Sequence, residues 1–355
     1  MNRSAPFLLG VLAAASTAAP REPVRPPAAV ARPLLGLEAT LPAGASDEER
    51  ERAARTVRAS GVNLFAVTVS WSDGEPSPGK YRLDALVKTV RLLRQSGATV
   101  HLDLPLVSVQ RRDVPTDLAT MRFDDPRLSL RLGRFLDALE PALLDASTIS
   151  LGYAADSYFA SHPDELTGYR LLFGGTVAFL QKKAPDLKVG VTTAAPTESA
   201  SPVVAAALHQ GSPVLFYLYA PFDRGNPFLH RPPESLERDW KQLLESAAGR
   251  PIAFPEVSYS SAPENASNPE RQAEFVRRLR RFLQASDGKS ILFARYVAWR
   301  DEPEAGARAA DARTSPAAPA APAAAIAGRR AAFLAHRGLQ TERGESKPAW
   351  REWIR

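Results

Sequence analysis

Two hydrophobic rhythms alternate along this chain. Short apolar, β-branched runs, LLGLEATL at 34–41 and VNLFAVTVS at 62–70, are separated by longer stretches whose apolar residues recur every three or four positions. Six more short runs follow: TVHLDLPLV (99–107), TISLGYAA (148–155), KVGVTTAA (188–195), PVLFYLYA (213–220), PIAFPEVSY (251–259) and ILFARYVAW (291–299). Runs of this kind predict buried strands, and the helical period between them predicts amphipathic helices packed on the sheet. Boundary signals agree. In SDEERERAARTVRASG, Ser46 stands at the N-cap position, acids fill the first turn and Gly61 closes the segment. LDALVKTVRLLRQSG and NPERQAEFVRRLRRFLQASDG keep the same spacing and also close on glycine.

A strand followed by a helix, eight times over, predicts an α/β protein with a single (β/α)8 TIM barrel over residues 34–355. An open doubly wound sheet shares the alternation, but no glycine-rich phosphate loop follows the first strand. One segment breaks the rhythm. Residues at about 302–328, within DEPEAGARAADARTSPAAPAAPAAAIAGRR, form an Ala/Pro-rich insertion with almost no large apolar side chain. Such a segment packs poorly, and its place after the eighth strand puts it on the C-terminal face of the barrel.

The N-terminal region adds an address. MNRSAPFLLGVLAAASTAAP has Arg3, an apolar stretch from Pro6 to Ala15, and small residues at Ser16, Thr17 and Ala18. These are the parts of a signal peptide over 1–19, followed by a Pro-rich linker over 20–33, and they predict a secreted or periplasmic protein. The apolar stretch is too short to span a membrane, so no stable membrane insertion is expected.

Composition narrows the partners. The 355 residues are 45% hydrophobic and 24% charged, which is ordinary for a globular chain. The formal charge of +6 comes from arginines scattered along the chain, without the clustered patch or module that nucleic-acid binding requires. There is no cysteine, hence no disulfide, thiolate metal site or lipidated cysteine anchor. Nothing implies a metal or a cofactor.

In a barrel, reactive groups belong at the C-terminal strand ends. Those ends carry Trp71, Asp103, the run Gly152-Tyr153-Ala154-Ala155-Asp156, Tyr217 and Tyr219, Glu256, and Trp299. His101 shares a strand face with Asp103, but no metal-ligand spacing surrounds it. Each position also has a purely structural reading: the aromatics as core, and Glu256 as an acceptor for neighbouring backbone.

The order of these ends resembles clan A of the glycoside hydrolases. VSWSDGEPSPGKYRLDALVKTVRLLRQSGATVHLDL is similar to the second and third units of that superfamily, with its Trp-x-x-x-Glu-Pro-x-x-Gly-x-Tyr pattern. GRPIAFPEVSYSS resembles the seventh strand, whose terminal Glu is the nucleophile, and that match falls on Glu256. YVAWRDEP resembles the eighth strand, where Trp299 would floor a sugar subsite, and GLQTERGESKPAW resembles the closing stretch before the last helix. The resemblance implies a carbohydrate partner, contacted by Trp71, Asp103, Tyr153, Tyr219 and Trp299. It also implies a fourth strand ending in Gly-Asn-Glu-x-Asp, with that Glu as general acid and base. Gly152 and Asp156 match; Tyr153 replaces the Asn, and Ala154 stands at the acid/base position.

A retaining glycosidase needs two carboxyl groups ~5–5.5 Å apart, and acid-base assistance is worth ~100- to 10,000-fold. Alanine has no proton to give. Asp156 lies one pleat repeat, ~6.6 Å, beyond Ala154 on the same face, so an inverting Asp156–Glu256 pair is geometrically conceivable. Three readings stand open. The first is a glycan-binding barrel impaired in hydrolysis. The second is an active glycosidase using Asp156 or a loop acid, Asp301 or Glu302. The third is a scaffold that docks another protein.

Overall fold

The computed structural model describes residues 32–38, 46–109, 111–199, 201–303 and 321–355. The segment expected to be a signal peptide, nearly all of the expected linker and most of the Ala/Pro insertion lie outside them. The barrel strands are β1 (Leu34–Leu37), β2 (Leu64–Thr68), β3 (Thr99–Asp103), β4 (Thr148–Ser150), β5 in two pieces (Lys188–Gly190 and Thr192–Ala194), β6 (Leu215–Tyr219), β7 (Ile252–Val257) and β8 (Ile291–Tyr296). All pair in parallel, and β8 pairs with β1. The first piece of β5 pairs with β4 and the second with β6. The two ends of the sheet are therefore one strand, so the ring closes as the sequence predicts and leaves no open edge. The strands are shorter than the apolar runs that announce them. Beyond the ladder the chain stays buried but takes its hydrogen bonds singly, as at Leu104 N–H to the Ser150 carbonyl (2.8 Å).

Helices follow the strands: α1 (Asp47–Ala59), α2 (Asp84–Gln95), α3 (Pro126–Asp145), α4 (Leu166–Lys183), α5 (Pro202–Leu208), α6 (Ser235–Ser246), α7 (Pro269–Ala285), α8 (Ala321–Ala335) and α9 (Pro348–Ile354). Ser46 caps α1 as expected, in a reciprocal box with Glu49. Among the described residues no helix is long and apolar enough to cross a membrane.

Alternation along each strand sorts side chains into two populations. Outward residues such as Val100, Ile149, Tyr217 and Phe254 pack beneath the helices. Inward residues fill the lower barrel with Leu34, Leu64, Phe216, Ala253 and Phe293. His101 lies between the rings of Phe216 and Phe293, at 5.2 and 5.0 Å. Above this plug the inward positions turn polar. Gly36 makes room for Arg295, because a Cβ there would lie 3.0 Å from that side chain.

The Trp-x-x-x-Glu-Pro motif is part of this packing. Trp71 is fully buried against Phe135 of α3 and donates its indole N–H to Glu75 (2.9 Å). Glu75 also accepts from Gly79 N–H (2.8 Å) and from Arg131 of α3 (2.8 Å). The motif thus ties the loop after β2 to the helix that follows β3, and its tryptophan lies away from the mouth.

Two histidines give the fold a pH dependence. His209 is buried beneath β5, with burial pushing it down to about 4. His230 is stacked on Tyr259 at 4.0 Å, accepts Ser260 N–H at Nε2 (2.9 Å), and is pushed down by burial to about 3. Both are neutral in the folded protein, whereas the unfolded chain takes up their protons near 6.5. Stability held above pH 6.5 is therefore lost as the pH falls toward 4, by about 1.4 kcal/mol per pH unit for each histidine. Urea midpoints measured from pH 7 to 4 should fall, and His230→Gln should flatten that fall. Glu75→Ala, which strips Arg131 and Trp71 of their buried partner, should cost about 3–5 kcal/mol in the same assay.

Candidate active site

Glu256 reaches the mouth through an irregularity. From Ala253 to Glu256 the β7 chain advances three residues while its β6 partner advances two, from Phe216 to Leu218. Regular alternation would put Glu256 on the outward face with Phe254. The bulge around Pro255, which has no N–H to offer the ladder, turns it inward.

Three donors converge on its carboxylate. Tyr153 donates its phenol to Oε2 (2.7 Å), while Arg337 (3.1 Å) and Ser258 (3.3 Å) donate to Oε1. Burial and the adjacent Glu256 charge raise the Tyr153 phenol well above its ordinary value, so it donates without ionising. Its backbone is pinned from both sides, by Tyr153 N–H to the Val107 carbonyl (2.9 Å) and by Val109 N–H to its own (3.3 Å). Ala154 follows in left-handed geometry (φ 47°, ψ 42°) and precedes the short helix Ala155–Ser161. Its methyl group brings no proton donor.

Asp156 is fully buried and faces β5. It accepts Ala194 N–H (2.9 Å) and the Ser199 hydroxyl, and burial lifts its carboxyl above the ordinary range. It ties the end of β4 to the end of β5, and neither of these bonds reaches Glu256.

Asp103 sits across the mouth, bonded at 3.0 Å to Nε2 of His101, whose Nδ1 meets the Thr148 hydroxyl at 2.8 Å. Burial opposes ionisation of Asp103, but the charge and hydrogen bond of His101, with Arg295 farther off, hold its carboxyl below the usual range. Arg295 donates to the Pro255 carbonyl (2.7 Å) and to Glu38 (2.6 Å). Burial weakens its charged form, and Glu38, Asp103 and Glu256 outweigh that.

Arg337 closes the array. One arm reaches Glu256 and the other Glu302 (2.9 Å), and these carboxylates outweigh the cost of burying it. Asp301, the other loop acid, is occupied by Lys347 (2.7 Å) and by Gly338 N–H (2.9 Å).

The structure therefore brings together Glu256, Tyr153 and, across the mouth, Asp103. Trp299 is only 2% exposed and lies in the outer layer near Trp350, with the Arg300 guanidinium 4.4 Å from its ring. Tyr219 also faces outward, donating to Asp239 (3.0 Å), away from the sugar contact expected of it. Four site residues escaped sequence reasoning in their present roles: Glu38, Arg295, Glu302 and Arg337. An arginine in the strand ILFARYVAW, two residues after Phe293, was a usable signal for Arg295. Arg337 had none.

Chemically the mouth is a set of fixed acceptors and cations. Glu302 is paired with Arg337, Asp103 with His101, and Asp156 with Ala194 N–H and the Ser199 hydroxyl. Among the described residues no group of three or more His, Cys, Asp or Glu side chains is arranged to hold a metal ion.

No protein family model matches the chain, and no curated relative does. Solved structures do. A GH5_18 protein from Streptomyces cattleya, in complex with GlcNAc, superposes with a TM-score of 0.62 at 15% identity, over 92% of this chain and 79% of its own. An exo-β-1,4-mannosidase from an Opitutaceae bacterium gives 0.62 at 14% identity over 91% of this chain, which spans 58% of that longer protein. Xylanase 10B from Thermotoga petrophila, in complex with xylobiose, gives 0.58 at 12% identity, over 90% and 92% of the two chains. The chain has the TIM-barrel fold of these glycoside hydrolases.

Proposed function

We propose that this protein is an exported glycan-binding barrel that keeps the nucleophile position of a glycosidase and lacks its proton donor. One observation carries the reading. Glu256 is presented at the mouth with its tyrosine and arginine donors, while the strand-four end beside it offers Ala154. Fixed carboxylates suit sugar hydroxyls, which donate to them in charge-assisted hydrogen bonds. Asp103 and Glu256 are the acceptors that line such a cleft, Arg295 is a donor beside them, and the Tyr153 oxygen, whose proton is already given to Glu256, is a further acceptor. Relatives of the same fold bind GlcNAc and xylobiose or are named for β-mannoside cleavage, so β-linked hexosides and xylosides define the first panel. Export rests on the apolar N-terminal segment with its basic start.

Glu302 favours a second reading. Arg337 draws this carboxylate toward Glu256, so an acid supplied after β8 would stand close to a nucleophile. Its bond to Arg337 opposes that role, because the carboxylate is already engaged by the guanidinium.

Calorimetric titration with manno-, xylo- and N-acetylglucosamine-containing oligosaccharides should show saturable binding without release of reducing sugar. Glu256→Gln and Asp103→Asn should each weaken binding about tenfold, the loss of one charge-assisted bond. Hydrolysis of a natural oligosaccharide that disappears in Glu302→Gln would establish the second reading. Absence of binding across the panel would leave the barrel as a docking scaffold.

A further inference from the structure

The segment carrying Arg337 is anchored far more heavily than a surface loop. Lys347, nearly buried, places its ammonium on the carbonyls of His336 (3.3 Å) and Gly338 (3.0 Å), the two residues flanking Arg337. The same ammonium bonds Asp301 and the Ser261 hydroxyl (3.0 Å). Gln272 of α7, fully buried, bonds the carbonyls of Arg337 (3.3 Å) and Gly338 (3.1 Å). Ser261 donates both its N–H (3.0 Å) and its hydroxyl (3.2 Å) to the His336 carbonyl. Gly338 lies so close to the chain at Arg300 and Asp301 that a Cβ there would fall 2.1 Å from Asp301 N. Burying an ammonium and an amide is costly unless each gains several partners; Gln272 also donates to the Tyr259 carbonyl (2.8 Å) and meets the Tyr296 hydroxyl (3.3 Å), so half the partners of each group lie on this three-residue segment. Its only side chain directed at the mouth chemistry is Arg337, bridging Glu256 and Glu302.

We infer that residues 336–338 form a built clamp, in which Arg337 is a positioning residue that holds the Glu256 carboxylate in place to accept sugar hydroxyls and slows its attack on an anomeric carbon. The inference rests on the reading of the mouth as a glycan site. Attack draws electron density out of the Glu256 carboxylate, so a guanidinium bonded to Oε1 stabilises the free carboxylate more than the glycosyl ester and slows bond formation. Two independent devices then slow the site: no acid at Ala154, and a restrained nucleophile at Glu256.

The second device is separable from the first by a substrate that needs no acid. With a 2,4-dinitrophenyl 2-deoxy-2-fluoro-β-mannoside or β-glucoside, a Glu256 carboxylate oxygen forms a bond to C1 as the C1–oxygen bond breaks, and dinitrophenolate leaves without a proton. Intact-mass spectrometry reads the glycosylated protein, and absorbance reads the phenolate. The unmodified chain should label slowly, and Arg337→Ala at least about tenfold faster, the effect of losing one charge-assisted bond on the carboxylate. Label in Arg337→Ala should map to Glu256 and vanish in the double variant with Glu256→Gln. Millimolar guanidinium, which refills the space left by Arg337→Ala, should slow labelling again, an effect that a merely structural role would not produce. Arg337→Lys keeps the charge but cannot span both carboxylates, and should fall between the two. It serves as the test if the alanine variant does not fold. Equal labelling of the unmodified chain and the variants overturns the clamp, as does labelling of neither when the unmodified chain still binds oligosaccharide. Absence of oligosaccharide binding by the unmodified chain instead overturns the glycan reading on which the clamp rests.

Discussion

Closing eight strands into a ring leaves each of them only one or two inward positions above the hydrophobic plug. That constraint governs everything at the mouth. Glu38, Asp103, Glu256 and Arg295 are there because each occupies such a position, and each arrives with a charge that the plug beneath cannot solvate. The array therefore has to satisfy itself. Carboxylates and guanidinium groups alternate, from Glu38 to Arg295 and from Glu256 through Arg337 to Glu302. Remove Arg337 and Glu256 loses its guanidinium partner, keeping Tyr153 and Ser258 as donors.

The same constraint separates residues that serve the fold from those that face the mouth. Tyr219, Trp299 and Trp71 stand near strand ends in the sequence, yet each turns into the layer between sheet and helices. Asp156 stands two residues after Ala154 but is drawn to the end of β5. Glu256 escapes the outward layer only because the chain bulges at Pro255. Position along a strand is thus a weak guide to chemistry once pairing becomes irregular.

This explains what could be read in the sequence and what could not. Hydrophobic period and glycine stops depend on neighbours a few residues away, so the eight units and the barrel were legible. Glu256, Tyr153 and Asp103 were legible as strand-end residues. Which way Trp299 points was not: it lies on the inward parity of Arg295, but the ladder ends at Tyr296 and the parity ends with it. Arg337 was illegible for a different reason. It sits outside any periodic element, 81 residues from the carboxylate it holds, and is recognised only by the groups gathered around its carbonyls.

Lys347 gives the barrel a timetable as well as a shape. Strands β1 to β8 are complete by residue 296, so a ribosome has delivered the whole sheet some fifty residues before the ammonium that fastens 336–338 emerges. The Trp353 indole, bonded to Ser60 (3.2 Å), ties the same late stretch to the first helical unit. The barrel wall is therefore synthesised first, and its mouth is set in place only when the chain returns to where it began.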